Sequence, residues 1–243
     1  MLRPSSDHRQ WVAAEEYEFS PSVPIAEYSD VFGNLCQRAM APAGHFQVRT
    51  MVTVKTGIEP AAQRDAGFVE VSELPADTLS FLLPSRYCES DRFGDMALEI
   101  TAGCSPGYEQ VAAINEWVTR EIRNTPLSST YPVSAAEVNE RGEGVCRDLA
   151  HVGMALCRAI CIPARFVVGY VPDLVPMDAH AWFEVFIGRR WHTVDPSHTP
   201  MPGARITRAR GRDAADVALY NQYGPQLLPN EMTVTVNRLE RPH

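Results

Sequence analysis

The chain has 243 residues, of which 45% are apolar and 21% are charged, a composition that indicates a folded globular protein and excludes a disordered or fibrous one. Acidic residues outnumber basic ones by 30 to 22, which gives a formal net charge of -8. A chain with this charge has no general attraction for nucleic acid or for an anionic membrane, and we expect neither as a partner.

Cysteine spacing and hydropathy favour a reduced, cytoplasmic protein. The six cysteines do not form the compact framework of a disulfide-rich domain, and Cys157 and Cys161 fall in a helical pattern. The N-terminal MLRPSSDHRQ lacks the apolar core of a leader peptide. No run approaches the roughly 20 apolar residues that a membrane-spanning helix needs.

The N-terminal part of the chain carries strand signals. In HFQVRTMVTVKTG (residues 45–57), apolar residues alternate with polar ones, which predicts a strand with one buried face. Shorter strands are predicted over residues 11–20 and 67–74. We therefore predict a small, mostly β domain over residues 1–95 and a second domain over residues 96–243.

Three helices are predicted next. The first begins at Tyr108, after which apolar residues recur at spacings of three and four. The second follows Ser134, which has capping-box spacing to Glu137. The third begins near Val145 and stops before Pro163. The residues predicted to form the buried stripe of the third helix are Leu149, Val152, Leu156 and Ile160.

The remainder of the chain returns to a strand pattern. Four strands are predicted over residues 166–171, 180–187, 189–196 and 231–239. Between them, the stretch from 189 to 212 is rich in arginine, and we interpret it as a solvated basic face without assigned function.

Cys146 is a candidate nucleophile. It follows Gly142 and Gly144 and falls in the first turn of the third predicted helix. Unpaired N–H groups and the helix dipole stabilise an anion at that position, which favours a reactive thiolate. The glycines would leave room for a backbone or a substrate to approach. A buried structural cysteine is the alternative interpretation.

The spacing of the last strands places a histidine beside an acid. A two-residue hairpin loop at 188–189 sets Trp182 opposite Asp195. His180 and Asp195 are then diagonal neighbours on one face of the sheet, within reach of a hydrogen bond. A three-residue loop would move His180 to the opposite face.

Cys146, His180 and Asp195 together supply the three roles of thiol acyl transfer. Cys146 would be the nucleophile, His180 the general base and acid, and Asp195 the group that orients the imidazole. These three residues are too few to complete a four-ligand zinc site. Clusters that include His151, His192 or His198 also lack zinc-ligand spacing. We therefore expect neither a metal ion nor a cofactor.

Three motifs in this region resemble those of a known family. The segments GVCRDLAHVGMALCRAICIPARFVVGY, HAWFEVFI and WHTVDPSH are similar to the Cys, His and Asp motifs of the bacterial transglutaminase-like family, in the same order. YSDVFGN (28–34) and LLPSRYCESD (82–91) resemble its N-terminal β domain, and GRDAADV (211–217) resembles the segment after its Asp motif.

The resemblance implies an α+β, papain-like transglutaminase core, in which the nucleophile helix packs on an antiparallel sheet, preceded by the small β domain. It also implies attack on a carbonyl to give a thioester, with the backbone N–H of Cys146 as one oxyanion donor. Trp117 and Tyr131 are both candidates for the second donor, and the choice between them stays open.

Three functions remain open at this stage. Hydrolysis of a peptide or amide bond is favoured, because water is far more abundant than any amine. A transglutaminase would instead join the acyl group to a primary amine. In the third alternative, the chain is a non-catalytic binding or scaffold module with a vestigial site.

Overall fold

A computed structural model describes residues 2–57, 64–126, 128–129, 131–172, 174–175, 177–197, 205–225 and 229–239. The helices are α1 (Gly94–Ile100), α2 (Tyr108–Glu121), α3 (Ala135–Arg141) and α4 (Cys146–Ala159). The first strands are β1 (Gln10–Ser20), β2 (Ile25–Ser29), β3 (Leu35–Ala39), β4 (Gln47–Thr56), β5 (Arg123–Asn124) and β6 (Glu143–Gly144). The later strands are β7 (Ala164–Tyr170), β8 (His180–Ile187), β9 (Arg190–Val194) and β10 (Ile206–Gly211).

The fold is α+β, as predicted, and its core is an antiparallel sheet in the order β10-β7-β8-β9 with α4 packed on one face. Strand β8 is buried at every position because both of its faces are covered. Phe183 of β8 fits against Gly153 of α4, where a Cβ atom would lie 2.7 Å from the ring. Glycine at this position therefore lets the helix approach the sheet closely.

A two-residue loop joins β8 to β9, which confirms the predicted hairpin. Gly188 and Arg189 both have positive φ, at 56° and 62°, as a tight turn between twisted strands requires. Ile187 pairs with Arg190, and the register continues to the pair Phe183 and Val194. This register places every even-numbered residue of β8 on one face of the sheet.

Helix α4 begins at Cys146, as predicted. Leu149, Val152 and Leu156 are fully buried, whereas Ile160 is half-buried and lies just beyond the last helical residue. The burial is not confined to a stripe, because every residue from 148 to 158 is inaccessible to solvent. The helix is thus the central element of the core rather than an amphipathic surface helix.

The two other predicted helices are also present. In α2, Val111, Ile114 and Val118 are buried. Helix α3 is capped by Ser134, whose hydroxyl accepts a hydrogen bond from the backbone N–H of Glu137. Helix α1 was not predicted. Within the described residues, no helix has the length and apolar character needed to cross a bilayer.

The N-terminal strands form a small β region, as expected. β1 pairs with β4, and β2 pairs with β3, both antiparallel. This region packs on the face of the central sheet opposite α4, where the Arg9 guanidinium binds the buried Glu184 carboxylate at 2.8 Å. The domain boundary at residue 95 stays a prediction.

The strand predicted over residues 67–74 was wrong. The segment crosses the tip of the β8–β9 hairpin, where Gly188 donates a backbone hydrogen bond to Gly67 at 2.8 Å, and it continues into a short 3₁₀ turn. Its apolar side chains Val69 and Leu74 pack against Phe186. The alternating pattern therefore reflects this packing and not a strand in a sheet.

The strand predicted over residues 231–239 was also wrong, because the structure assigns no strand there. Alternation makes a segment suitable for a sheet, but a strand also needs a hydrogen-bonded neighbour. The position beside β7 is taken by β10, which sequence patterning missed. β10 buries polar residues, Thr207 and Arg208, and so lacks the usual apolar signature.

Candidate active site

The start of α4 positions the Cys146 thiol. Val145 has an extended backbone, and the side chain of Asp148 accepts its N–H at 3.1 Å, which caps the helix. Asp148 is fully buried, and its charge is matched by the Arg147 guanidinium at 2.9 Å. A carboxylate at this end also suits the helix dipole.

The glycines before Cys146 have structural roles in the chain itself. A Cβ atom at Gly144 would lie 2.7 Å from the Cβ of Asp148, so the capping side chain occupies that space. Gly142 ends α3 in a left-handed conformation with φ of 66°. The close approach predicted at these glycines is thus made by groups of the protein itself, and the approach of a substrate stays a prediction.

A short parallel pairing of β5 with β6 fixes the segment that enters α4. Asn124 pairs with Gly144, and the N–H of Thr125 donates to the carbonyl of Gly144 at 2.8 Å. Asn124 also donates through Nδ2 to the carbonyl of Ser197 at 3.3 Å. The segment before the thiol and the turn after β9 are thus held by the same residue.

His180 and Asp195 meet as the hairpin count predicts. The Nε2 atom of His180 lies 2.8 Å from Oδ2 of Asp195, and the two side chains are only 4% and 6% exposed. Burial alone would lower the pKa of His180, but hydrogen bonding and electrostatic attraction to Asp195 and Cys146 outweigh it and raise the pKa to about 9. Both predicted partners of the imidazole thus favour its charged form.

Cys146 is the accessible member of this group. Its side chain is half-buried, whereas His180 and Asp195 are almost completely buried. Cys146 is therefore the member of the three that is partly open to solvent, while the histidine and the acid are shielded from water. The thiol of Cys146 thus lies with an imidazole and a carboxylate at the start of α4.

Two residues without a predicted role complete the surroundings of Asp195. Ser197 donates to Oδ1 through its hydroxyl at 2.6 Å and through its backbone N–H at 3.2 Å. Arg205 donates to Oδ2 at 3.4 Å. Burial favours the neutral acid, but His180, Ser197 and Arg205 together lower the pKa of Asp195.

Trp182 covers the contact between His180 and Asp195. Its ring stacks on the His180 ring with centroids 6.0 Å apart, and the residue is only 1% exposed. The Arg205 guanidinium lies 5.8 Å from the indole centroid. Trp182 thus both packs in the sheet and helps to exclude water from the imidazole.

The arginine-rich stretch is not a solvated face throughout. Arg208 is 5% exposed, and the side chains of Arg205 and Arg210 are 16% and 17% exposed. Among the described arginines of this stretch that form ion pairs, only Arg189 and Arg212 have well-exposed side chains, at 69% and 44%. The interpretation of this stretch as a solvated basic face was wrong, because Arg208 and Arg210 lie in β10 of the central sheet and Arg205 lies directly before it.

The remaining candidates have structural positions. Arg147 donates to the carbonyls of Ser129 and Tyr131, at 3.2 and 3.0 Å, and so ties that loop to α4. The Tyr131 residue is 71% exposed, and Trp117 packs against the core.

Histidines outside the site do not form a metal centre within the described residues, where no group of three or more His, Cys, Asp and Glu residues could hold an ion. His151 is buried in α4, and its Nε2 accepts the N–H of Ala214 at 3.2 Å. Burial lowers the pKa of His151 to about 4, so the imidazole is neutral at neutral pH. His198 lies outside the described residues.

Comparisons with known proteins agree with this geometry. Residues 94–196 match the family model of the transglutaminase-like superfamily. The crystal structure of a candidate cysteine protease from Cytophaga hutchinsonii is similar over 90% of this chain and 76% of that protein, with 33% identity and a TM-score of 0.82.

Two curated mycobacterial proteins are also similar in sequence. The uncharacterised protein ML0607 of Mycobacterium leprae is 26% identical over 255 residues, which cover 98% of this chain and 90% of that protein. The uncharacterised protein Rv2569c of Mycobacterium tuberculosis is 33% identical over 105 residues, which cover 37% of this chain and 33% of that protein.

Proposed function

The chain belongs to the transglutaminase-like superfamily, and we propose on that basis that it is a cysteine hydrolase that cleaves a peptide or amide bond through a thioester. The observation that carries the proposal is the environment of His180, which hydrogen bonds to Asp195 at 2.8 Å and whose pKa is raised by Asp195 and by Cys146. This arrangement matches the requirements of nucleophilic catalysis by a thiol.

In the first half of the reaction, the Cys146 sulfur attacks the carbonyl carbon of the substrate. The carbon–sulfur bond forms, and the carbonyl electron pair moves to oxygen to give a tetrahedral oxyanion. The backbone N–H of Cys146, at the first turn of α4, is the donor we assign to that oxygen. When the oxyanion collapses, the carbon–nitrogen bond breaks, and the His180 imidazolium gives its proton to the departing amine.

In the second half, water attacks the thioester. His180, now neutral, takes a proton from the water as the carbon–oxygen bond forms. Collapse of the second tetrahedral intermediate breaks the carbon–sulfur bond and releases a carboxylic acid. Asp195 stays ionised throughout and stabilises the imidazolium, which is present at the start of the first half and forms again in the second.

Water is the acceptor that we favour over an amine. Water is present at a concentration far above that of any primary amine, so a site without a dedicated amine pocket transfers the acyl group to water. The likeness to the Cytophaga hutchinsonii protein, at 33% identity and a TM-score of 0.82, supports the same choice. A peptide or amide is thus the proposed substrate class.

The proposed compartment is the cytoplasm. A catalytic thiol must remain reduced, and all six cysteines of the chain are free in the structure. Both observations fit a protein that works among reduced thiols.

The test is to trap the acyl-enzyme. A library of peptide and amide donors is incubated with the protein, and intact mass spectrometry locates the acyl group. We expect acylation of Cys146, loss of acylation in Cys146→Ser, and retention in Cys161→Ser, which changes an exposed cysteine near the end of the same helix.

Partition of the trapped thioester then identifies the acceptor. We expect release of the free acid even when a primary amine is added in millimolar amounts. Predominant transfer to the amine would identify a transglutaminase instead. Absence of acylation from every donor, with Cys146 no more reactive than Cys161, would leave a non-catalytic module.

A further inference from the structure

The Asp195 carboxylate contacts two cationic side chains through the same oxygen. Oδ2 lies 2.8 Å from Nε2 of His180 and accepts a hydrogen bond from Arg205 at 3.4 Å. Oδ1 is engaged separately by Ser197. The His180, Asp195 and Arg205 side chains are 4%, 6% and 16% exposed, so little water screens them from one another. Two positive groups therefore compete for one oxygen.

A second contact keeps Arg205 in this place. Its guanidinium lies over the ring of Trp182, 5.8 Å from the centroid, and the same ring stacks on His180. A guanidinium on the face of an indole is held by cation–π attraction. Two contacts thus hold Arg205 in place, one with the Asp195 carboxylate and one with the Trp182 ring that covers His180.

We propose that Arg205 is a positioning residue that shares Oδ2 of Asp195 with His180 and so limits how tightly the acid holds the imidazolium proton. This role rests on the proposed function, because it concerns the histidine that protonates the leaving amine. Arg205 lies outside residues 94–196, which match the family model. The charged groups that face His180 are Cys146 on α4, Asp195 after β9 and Arg205 before β10.

The direction of the effect follows from the charges. An imidazolium bound to a carboxylate gives up its proton less readily as the pair becomes stronger. Arg205 draws on the same oxygen, which weakens the pair, and its own positive charge repels the imidazolium. Both contributions make His180 a better proton donor near neutral pH. Without Arg205, we expect the pKa of His180 to rise above its already raised value of about 9.

The experiment measures this pKa directly. In the full chain with ¹⁵N-labelled histidine, the imidazole signals are followed by NMR across a pH titration, and the His180 signal is assigned with His180→Gln. Arg205→Met removes the charge and keeps the length of the side chain. We expect the pKa of His180 to rise by about 0.5 or more in this variant.

Two further variants separate charge from packing. Arg205→Lys keeps the charge, and its His180 pKa should lie closer to the wild-type value than to that of Arg205→Met. Arg189→Met removes an exposed arginine at the tip of the same hairpin, where it pairs with Glu73 at 2.7 Å, and should leave the pKa unchanged. If Arg205→Met does not fold, Arg205→Gln takes its place.

An unchanged or lowered His180 pKa in Arg205→Met would overturn the role of Arg205, as would an equal rise in Arg189→Met. The titration needs no substrate, so it separates this role from the proposed function. A shifted pKa in a protein that forms no acyl-enzyme would count against the hydrolase alone. An unshifted pKa in an active hydrolase would count against Arg205 alone.

Discussion

Replacement of Asp195 by Asn tests how much the acid contributes to the imidazolium. The variant keeps the shape of the side chain and removes its charge. The pKa of His180 is about 9 in the folded protein and 6.5 for an isolated histidine, a difference of about 2.5. At about 1.36 kcal/mol for each pKa unit, the site favours the imidazolium by on the order of 3 kcal/mol, with the cost of burial already included.

That free energy corresponds to roughly 300-fold in the ratio of imidazolium to imidazole. Asp195 supplies the larger share of the attraction and Cys146 the remainder. An Asn can also select the wrong tautomer of the histidine, which in Ser-His-Asp enzymes costs about 10⁴-fold. We therefore expect Asp195→Asn to lower kcat/KM by roughly 10² to 10⁴, measured with the donor that acylates Cys146.

Asp178→Asn is the matched control. Asp178 is exposed, lies two residues before His180, and bonds through its carboxylate to the N–H of Ala179 at 2.6 Å. The Asp178→Asn variant removes the same charge from an exposed position before β8, and its activity should stay within about twofold of wild type because exposed charges are well screened. Full activity of Asp195→Asn, with Asp178→Asn also active, would refute the triad and leave a dyad of Cys146 and His180.

Two other predictions concern the stability of α4. Because burial lowers the pKa of His151 from 6.5 to about 4, the unfolded chain binds the proton first as pH falls. The free energy of unfolding should therefore fall by on the order of 3 kcal/mol between pH 6.5 and 4. Measured by urea denaturation, the free energy of unfolding of His151→Asn should depend less steeply on pH over that range. Gly153→Ala places a Cβ atom 2.7 Å from the Phe183 ring and should cost about 1–3 kcal/mol. Gly94→Ala, which meets no atom within 4 Å, is its control in thermal unfolding.

The site could be predicted from the sequence because its geometry depends on local rules. A helix that starts at Cys146 and a two-residue loop at Gly188 and Arg189 together fix where three side chains lie. Register in a hairpin follows from the loop length, and a slip of one residue would have reversed the face of His180. The prediction thus rested on a single turn, and that turn is present.

The environment of Asp195 could not be predicted in the same way. Nothing in the local sequence indicated the hydrogen bonds from Ser197 to the acid. Arg205 reaches Asp195 only because the chain returns as β10 beside β7. Such a contact depends on a long-range pairing of a strand whose buried residues are polar, and hydrophobic periodicity carries no signal for it.

False strand predictions have the same origin. Residues 231–239 alternate as a strand does, yet alternation says which face is apolar and not whether a neighbour is available. Residues 67–74 pack their apolar side chains against Phe186 without joining a sheet. In both segments, contacts with distant parts of the chain determine the structure, and a local sequence pattern does not contain that information.

The central claim is that His180 activates Cys146, and the rate of alkylation by iodoacetamide tests it most directly. Site-resolved mass spectrometry can follow Cys146 and the exposed Cys161 in the same sample from pH 5 to 9. Near pH 6 we predict that Cys146 reacts at least tenfold faster than Cys161, and that His180→Gln removes this advantage. Equal rates and equal pH profiles for the two cysteines in the wild-type protein would contradict the claim.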